Sequence, residues 1–257
     1  MFSVLDMFTI GVGPSSSHTV GPMCAAQAFA SSLEESGAVS RVGRIRVVLY
    51  GSLSLTGLGH GTDRAILAGL EGNVPATVDT DYLLSVRERC AHDGTIHVNG
   101  TNAIAYDDDG DMVFDRWKRL APHPNGMRFQ AFDAQGNIID EQVWYSSRRR
   151  VHPPRTDRRR ADLEPRADAG VVAATEDSGN DETAEYGDGV PYPFVSCDGL
   201  IDLCRKHHLS IADVVWANET ARRSPQEVRD RLTRIWNVMS HCIDAGCASA
   251  TPTLPGG

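Results

Sequence analysis

"RIRVVLYGSLSLTGLGHGTDRAILAGLEG", residues 44–72, decides the fold. Its first part, "RIRVVLYGSLSL", is rich in β-branched and large apolar residues, which predicts a strand over 44–55. From His60 the pattern changes. "HGTDRAILAGLEG" carries good helix formers and ends in glycine, which predicts a helix over 60–72 closed by Gly72. A strand feeding directly into a helix marks a mixed α/β domain.

The flanks agree with that reading. Upstream, "GVGPSSSHTVGP" (11–22) sets three serines, a histidine and a threonine between two Gly/Pro clusters. "PMCAAQAFASSL" then predicts a helix with Pro22 at its first position and Gly21 or Thr19 near the cap. Downstream, "MRFQAFDAQGNIIDEQVWYSS" (127–147) predicts a hairpin, two alternating runs around residues 133–137. The expected fold class is α+β, with an N-terminal mixed α/β domain over residues 1–147.

The C-terminal part reads differently. Ser210 is placed to cap a helix through "IADVVWANETA". Ser224, Pro225 and Glu227 form a capping-box signature with proline at the first helical position. The next helix carries Val228, Leu232, Ile235, Trp236, Met239 and Ile243 on one face, with Gly246 expected to end it. Residues 190–257 therefore predict the start of an all-α domain that "TPTLPGG" cuts short. Between the two parts, residues 148–170 are arginine-rich without an aromatic, and residues 176–189 are acidic. A basic block followed by an acidic one, with no periodicity, predicts a disordered linker over 148–189.

Composition excludes several classes. Of the 257 residues 41% are hydrophobic and 23% charged, ordinary for a globular protein. The net charge of −9 gives no support to a nucleic-acid partner. No apolar run reaches the length of a membrane span, and "MFSVLDMFTIGVG" has no basic n-region. No membrane partner and a cytoplasmic location are the expectations. The six cysteines include no C-x-x-C pair. Cys242 and Cys247 come closest, at an expected helix end. Lys118 and Lys206 are the only lysines, and neither is flanked by a Gly-rich phosphate loop, so no pyridoxal phosphate is expected.

The chemistry concentrates in the hydroxyl-rich loop. Free backbone N–H groups at a helix start favour an anion. Ser15, Ser16, Ser17 and Thr19 add donors, and His18 supplies a proton-transfer group near neutral pH. His60, again flanked by glycines, sits at the second strand-to-helix junction. The two histidines are expected to share one polar pocket at two helix N-termini. A pair of structural histidines, each bonded to its own local backbone, is the competing reading.

Several stretches carry a family resemblance. "SVLDMFTIGVGPSSSHTVGPMCAA", "GSLSLTGLGHGTDRAILAGLEG", "HPNGMRFQAFD", "VPYPF" and "HCIDAG…LPGG" resemble the bacterial iron–sulfur L-serine dehydratases, or L-serine ammonia-lyases. The resemblance implies that serine loses its α-proton and β-hydroxyl to give pyruvate and ammonia. It implies a [4Fe–4S] cluster as the Lewis acid that takes the hydroxyl. His18 and His60 would line the pocket as catalytic groups, and Ser15, Ser16, Ser17 and Thr19 would hold L-serine. Which histidine is the base stays open. A homodimer is an expectation of the same kind. The N-terminal domain also resembles the allosteric substrate-binding domain of some phosphoglycerate dehydrogenases. A small-carboxylate or anion-binding regulatory module without catalysis is therefore the alternative function.

Two departures stand out. The family's cluster cysteines lie beyond the helical region present here, so no metal ligand is assigned and this chain is expected to be inactive on its own. Family members also follow Tyr-Ser with one residue and three glycines, where this chain has Ser147 and then Arg148, Arg149 and Arg150. Glycine codons read out of register encode arginine, so a frameshifted insert is the expectation there.

Overall fold

The computed structural model describes residues 3–146, the backbone of 151–152, and residues 189–248. The linker expectation for 148–189 and the "LPGG" end lie outside the described residues. The chain divides into two compact units, residues 11–175 and residues 1–10 with 176–257.

The first unit is built on a mixed sheet. Its strands are β1 (Arg44–Tyr50), β2 (Thr95–Val98), β3 (Asn102–Ala105), β4 (Met112–Asp115), β5 (Gly126–Phe132), β6 (Ile138–Ser146) and β7 (Val151–His152). The order is β2-β3-β1-β5-β6-β7, with β4 pairing β1 as well. β1 runs parallel to β3 and β4 and antiparallel to β5. The β5–β6 pair is the expected hairpin, with a register shift between Ala131 and Phe132.

Alternation along β1 sets the two faces of the sheet. Ile45, Val47 and Leu49 join Met127, Phe129, Ala131 and Trp144 in the core. The helices α1 (Gly21–Glu35), α3 (Thr62–Leu70) and α4 (Thr80–Asp93) close that core. Phe29 of α1 stacks on Phe129 of β5, with ring centroids 5.2 Å apart.

The expected strand over 44–55 is too long. The strand stops at Tyr50, and α2 (Ser52–Thr56) follows at once. Gly51 is the reason. It has φ +56° and ψ −124°, and a Cβ there would lie 2.3 Å from the Pro124 carbonyl oxygen. The expected helix over 60–72 is correspondingly shorter. His60 belongs to a single 3₁₀ turn, Leu58–His60, and α3 spans Thr62–Leu70.

The second unit holds a 3₁₀ turn (Val4–Asp6), α6 (Cys197–His207), α7 (Ile211–Thr220) and α8 (Pro225–Ala248); the short α5 (Asp108–Asp111) belongs to the first unit. Ser210 and Asp213 form a reciprocal capping box at the start of α7. The Ser224 hydroxyl accepts from the Glu227 amide at the start of α8. Glu219, buried on α7, accepts from the Ser3 hydroxyl and the Val4 amide, each at 2.8 Å. These bonds tie the first residues to the helices. The expected apolar stripe of α8 buries Val228 only; Trp236, Met239 and Ile243 are exposed. Gly246 does not end α8, which continues through Cys247 to Ala248, because an interior glycine weakens a helix without stopping it.

Candidate functional site

The hydroxyl-rich loop is not a plain turn. Ser16–Val20 forms one turn of π-helix that runs directly into α1. Ser15 is the cap: its hydroxyl accepts from the His18 amide at 3.2 Å, and its carbonyl accepts from both Thr19 and Val20. This corrects the expected cap at Gly21 or Thr19 and places Pro22 second in α1. A π-turn leaves carbonyls outside the regular ladder. Side chains take them up: the Ser146 hydroxyl donates to the Ser17 carbonyl at 2.8 Å, and Thr62 donates to the His18 carbonyl at 2.5 Å.

His60 is braced the same way. Its carbonyl accepts from the Thr19 hydroxyl at 2.9 Å. Each histidine's carbonyl is thus held by a threonine lying one or two residues beyond the other histidine. Further along, Met23 packs with Ala65 and Ala68. The two contact sets advance together along α1 and α3, so these helices run parallel with their N-termini level.

The brace brings the two rings together. The His18 and His60 centroids lie 4.9 Å apart, tilted by 39°. His18 Nδ1 bonds the Ser17 hydroxyl and Nε2 the Ser52 hydroxyl, each at 3.0 Å. His60 Nδ1 lies 2.8 Å from the Thr56 carbonyl oxygen. A carbonyl only accepts, so Nδ1 carries the proton and neutral His60 presents a bare Nε2. Burial, and then the neighbouring His60, hold His18 below the ordinary histidine pKa, against an opposing contribution from Ser52. The neutral form of His18 is therefore favoured.

Of the residues singled out by sequence, Ser15, Ser17, His18 and His60 meet at this place. Ser16 is exposed beside them. Thr19 is buried, with its hydroxyl spent on His60, so it faces the interior rather than the pocket. Sequence reasoning missed Ser52, Thr56, Thr62, Ser146 and Asn125. Asn125 exchanges two hydrogen bonds of 3.0 Å with Ser146, which in turn holds Ser17. All but Ser146 sit inside the motif stretches, so the signal was present without a partner to interpret it.

No group of three His, Cys, Asp or Glu residues among the described residues could hold a metal ion. The thiols fit an iron–sulfur cluster poorly. Burial pushes the Cys24 and Cys90 thiols up to about 11, and neither belongs to a group of three such donors among the described residues. Cys197 and Cys204 lie on α6, and Cys242 and Cys247 are exposed on α8. The described residues supply no cluster site.

The fold and site together define a mixed α/β domain with a histidine pair under a hydroxyl-lined helix start. Residues 3–147 match the family model for the serine dehydratase beta chain, and the chain belongs to that family. It is 40% identical to the L-serine dehydratase of Streptomyces coelicolor over 99% of this chain and 51% of that protein. It is 35% identical to L-serine dehydratase 1 of Escherichia coli K12, over 100% of this chain and 51% of that protein. The L-serine dehydratase of Helicobacter pylori is 31% identical over 99% of this chain and 50% of its own length. The chain spans about half the length of the curated relatives it matches.

Proposed function

We propose that this chain carries the amino-acid-binding and proton-transfer half of an L-serine ammonia-lyase, a lyase that converts L-serine to pyruvate and ammonia. The observation that carries this reading is the histidine pair: two rings 4.9 Å apart, with His60 Nε2 free of any hydrogen bond among the described residues.

His60 is the candidate base. Its Nδ1–H is anchored on Thr56, so proton uptake at Nε2 needs no change of tautomer. The resulting imidazolium would face a neutral His18 rather than a second cation. His18 orients the pocket through Ser17 and Ser52. Ser15, Ser16 and Ser17 offer the substrate carboxylate a helix start and hydroxyl donors. Thr19 acts as a positioning residue for His60. A [4Fe–4S] cluster, which the resemblance implies, would supply a Lewis acid for the leaving hydroxyl, and the described residues of this chain offer it no ligand set.

The test is a titration of the 257-residue chain with L-serine, followed by NMR of the histidine C–H resonances. L-Serine should shift the His18 and His60 signals saturably, and His60→Gln should remove the response at His18. Equal shifts with D-serine, or shifts confined to other histidines, would overturn the reading.

A further inference from the structure

We propose that the open face of the sheet carries a second site, for a small oxyanion, between Arg46, Arg116 and Arg128. Those three residues line a cleft of about 580 Å³ together with Tyr50, Trp117 and Gln130. That volume suits a small-molecule ligand. None of the histidine-site residues lines it.

The sheet's alternation builds the cleft. Arg46 and Tyr50 on β1, and Arg128 and Gln130 on β5, project away from the core on the face that lacks α1 and α3. The segment from Asp115 to Lys118 closes one side, with Trp117 left 96% exposed. Lys118 Nζ and the Arg128 guanidinium carbon each stand 5.8 Å from the Tyr50 ring centroid, so the ring carries two cations.

Charge is unbalanced there. Four cations, Arg46, Arg116, Lys118 and Arg128, face two carboxylates, Asp115 and Glu141. Both carboxylates are engaged. Asp115 accepts the Trp117 and Lys118 amides, and Glu141 accepts from Gln130 at 2.6 Å. None of the four cations forms an ion pair among the described residues. The Arg128 Nε–H is the sharpest sign: it is buried and has no hydrogen-bond partner among the described residues. A buried donor without an acceptor is unfavourable, and an oxyanion in the cleft would supply one. Planar guanidinium forks match a carboxylate or phosphate in two-pronged fashion.

This site does not depend on the serine reading, and its test separates the two. Inorganic phosphate and L-serine are titrated separately into the full chain, with chloride at matched ionic strength as the control. Trp117 reports through its fluorescence. A saturable change with phosphate identifies a phosphate-type ligand, and one with L-serine alone a carboxylate-type ligand. Either response should vanish in Trp117→Phe, weaken about ten-fold or more in Arg128→Met, and persist in His18→Ala. Arg116→Met, on an exposed residue, serves if Arg128→Met does not fold. No change beyond chloride for either probe, or an unaltered response in both arginine variants, would overturn the proposal.

Discussion

A Cβ on Gly21 would lie 1.9 Å from the Ser146 hydroxyl oxygen. That hydroxyl reaches past the bare Gly21 Cα to the Ser17 carbonyl, and so pins the π-turn that carries His18. The end of β6 and the start of α1 are joined at a spot with no room for a methyl group.

Gly21→Ala should therefore destabilise the first unit by about 2 kcal/mol, the usual scale for overpacking. Urea denaturation measures it. Ser146→Ala removes the obstructing oxygen but keeps the Ser146 Cβ, 2.9 Å away, so the double variant should recover part of the loss. Strict additivity of the two changes would show that the clash is relieved elsewhere.

His18 makes stability depend on pH. Its pKa is lower folded than unfolded, so protonation favours the unfolded chain. The stability it contributes is complete above the unfolded histidine pKa, about 6.5, and declines as pH falls from there toward the folded value. His60→Asn removes the neighbouring imidazole whose interaction disfavours His18⁺, so it should raise the His18 pKa in an NMR titration. A downward shift would contradict the assigned ring-to-ring coupling.

Taken alone, the 257 residues should form no pyruvate from L-serine. The described residues include no set of donors able to ligate a cluster. Anaerobic treatment with iron and sulfide, followed by a pyruvate assay, checks this. Turnover above background that a chelator abolishes would refute it.

Arg87 ties the first turn of α3 to Asp108. Its guanidinium pairs with Asp63 in the first turn of α3 and with Asp108 at 2.8 Å. Asp63 is buried, so Arg87→Met leaves a carboxylate without its cation. The loss should be on the order of 3 kcal/mol, read by thermal and urea unfolding. Adding Asp63→Asn removes the stranded charge and should restore part of it. A double variant no more stable than Arg87→Met would place the cost on Asp108 instead.

The sequence by itself determined the mixed α/β character, the β5–β6 hairpin, the caps of α7 and α8, and the family. Alternation, capping residues and the Ser-Ser-Ser-His-Thr run are local signals, and each is complete within one short stretch. It did not reveal α4, α6, the edge strand β2 or its neighbour β3. α4 has few buried residues, and the two strands are only four residues each, so no periodicity builds up. The limits of β1 were misjudged because Gly51 is forced by Pro124, a residue far along the chain. The site shows the same division. Ser15, His18 and His60 could be named from sequence, but their 4.9 Å ring pairing could not. That pairing depends on Thr19, Thr62 and Ser146 satisfying carbonyls that a π-turn and a 3₁₀ turn leave open. Such bonds join residues distant in the chain, and only packing α1 against α3 over the sheet brings them within reach.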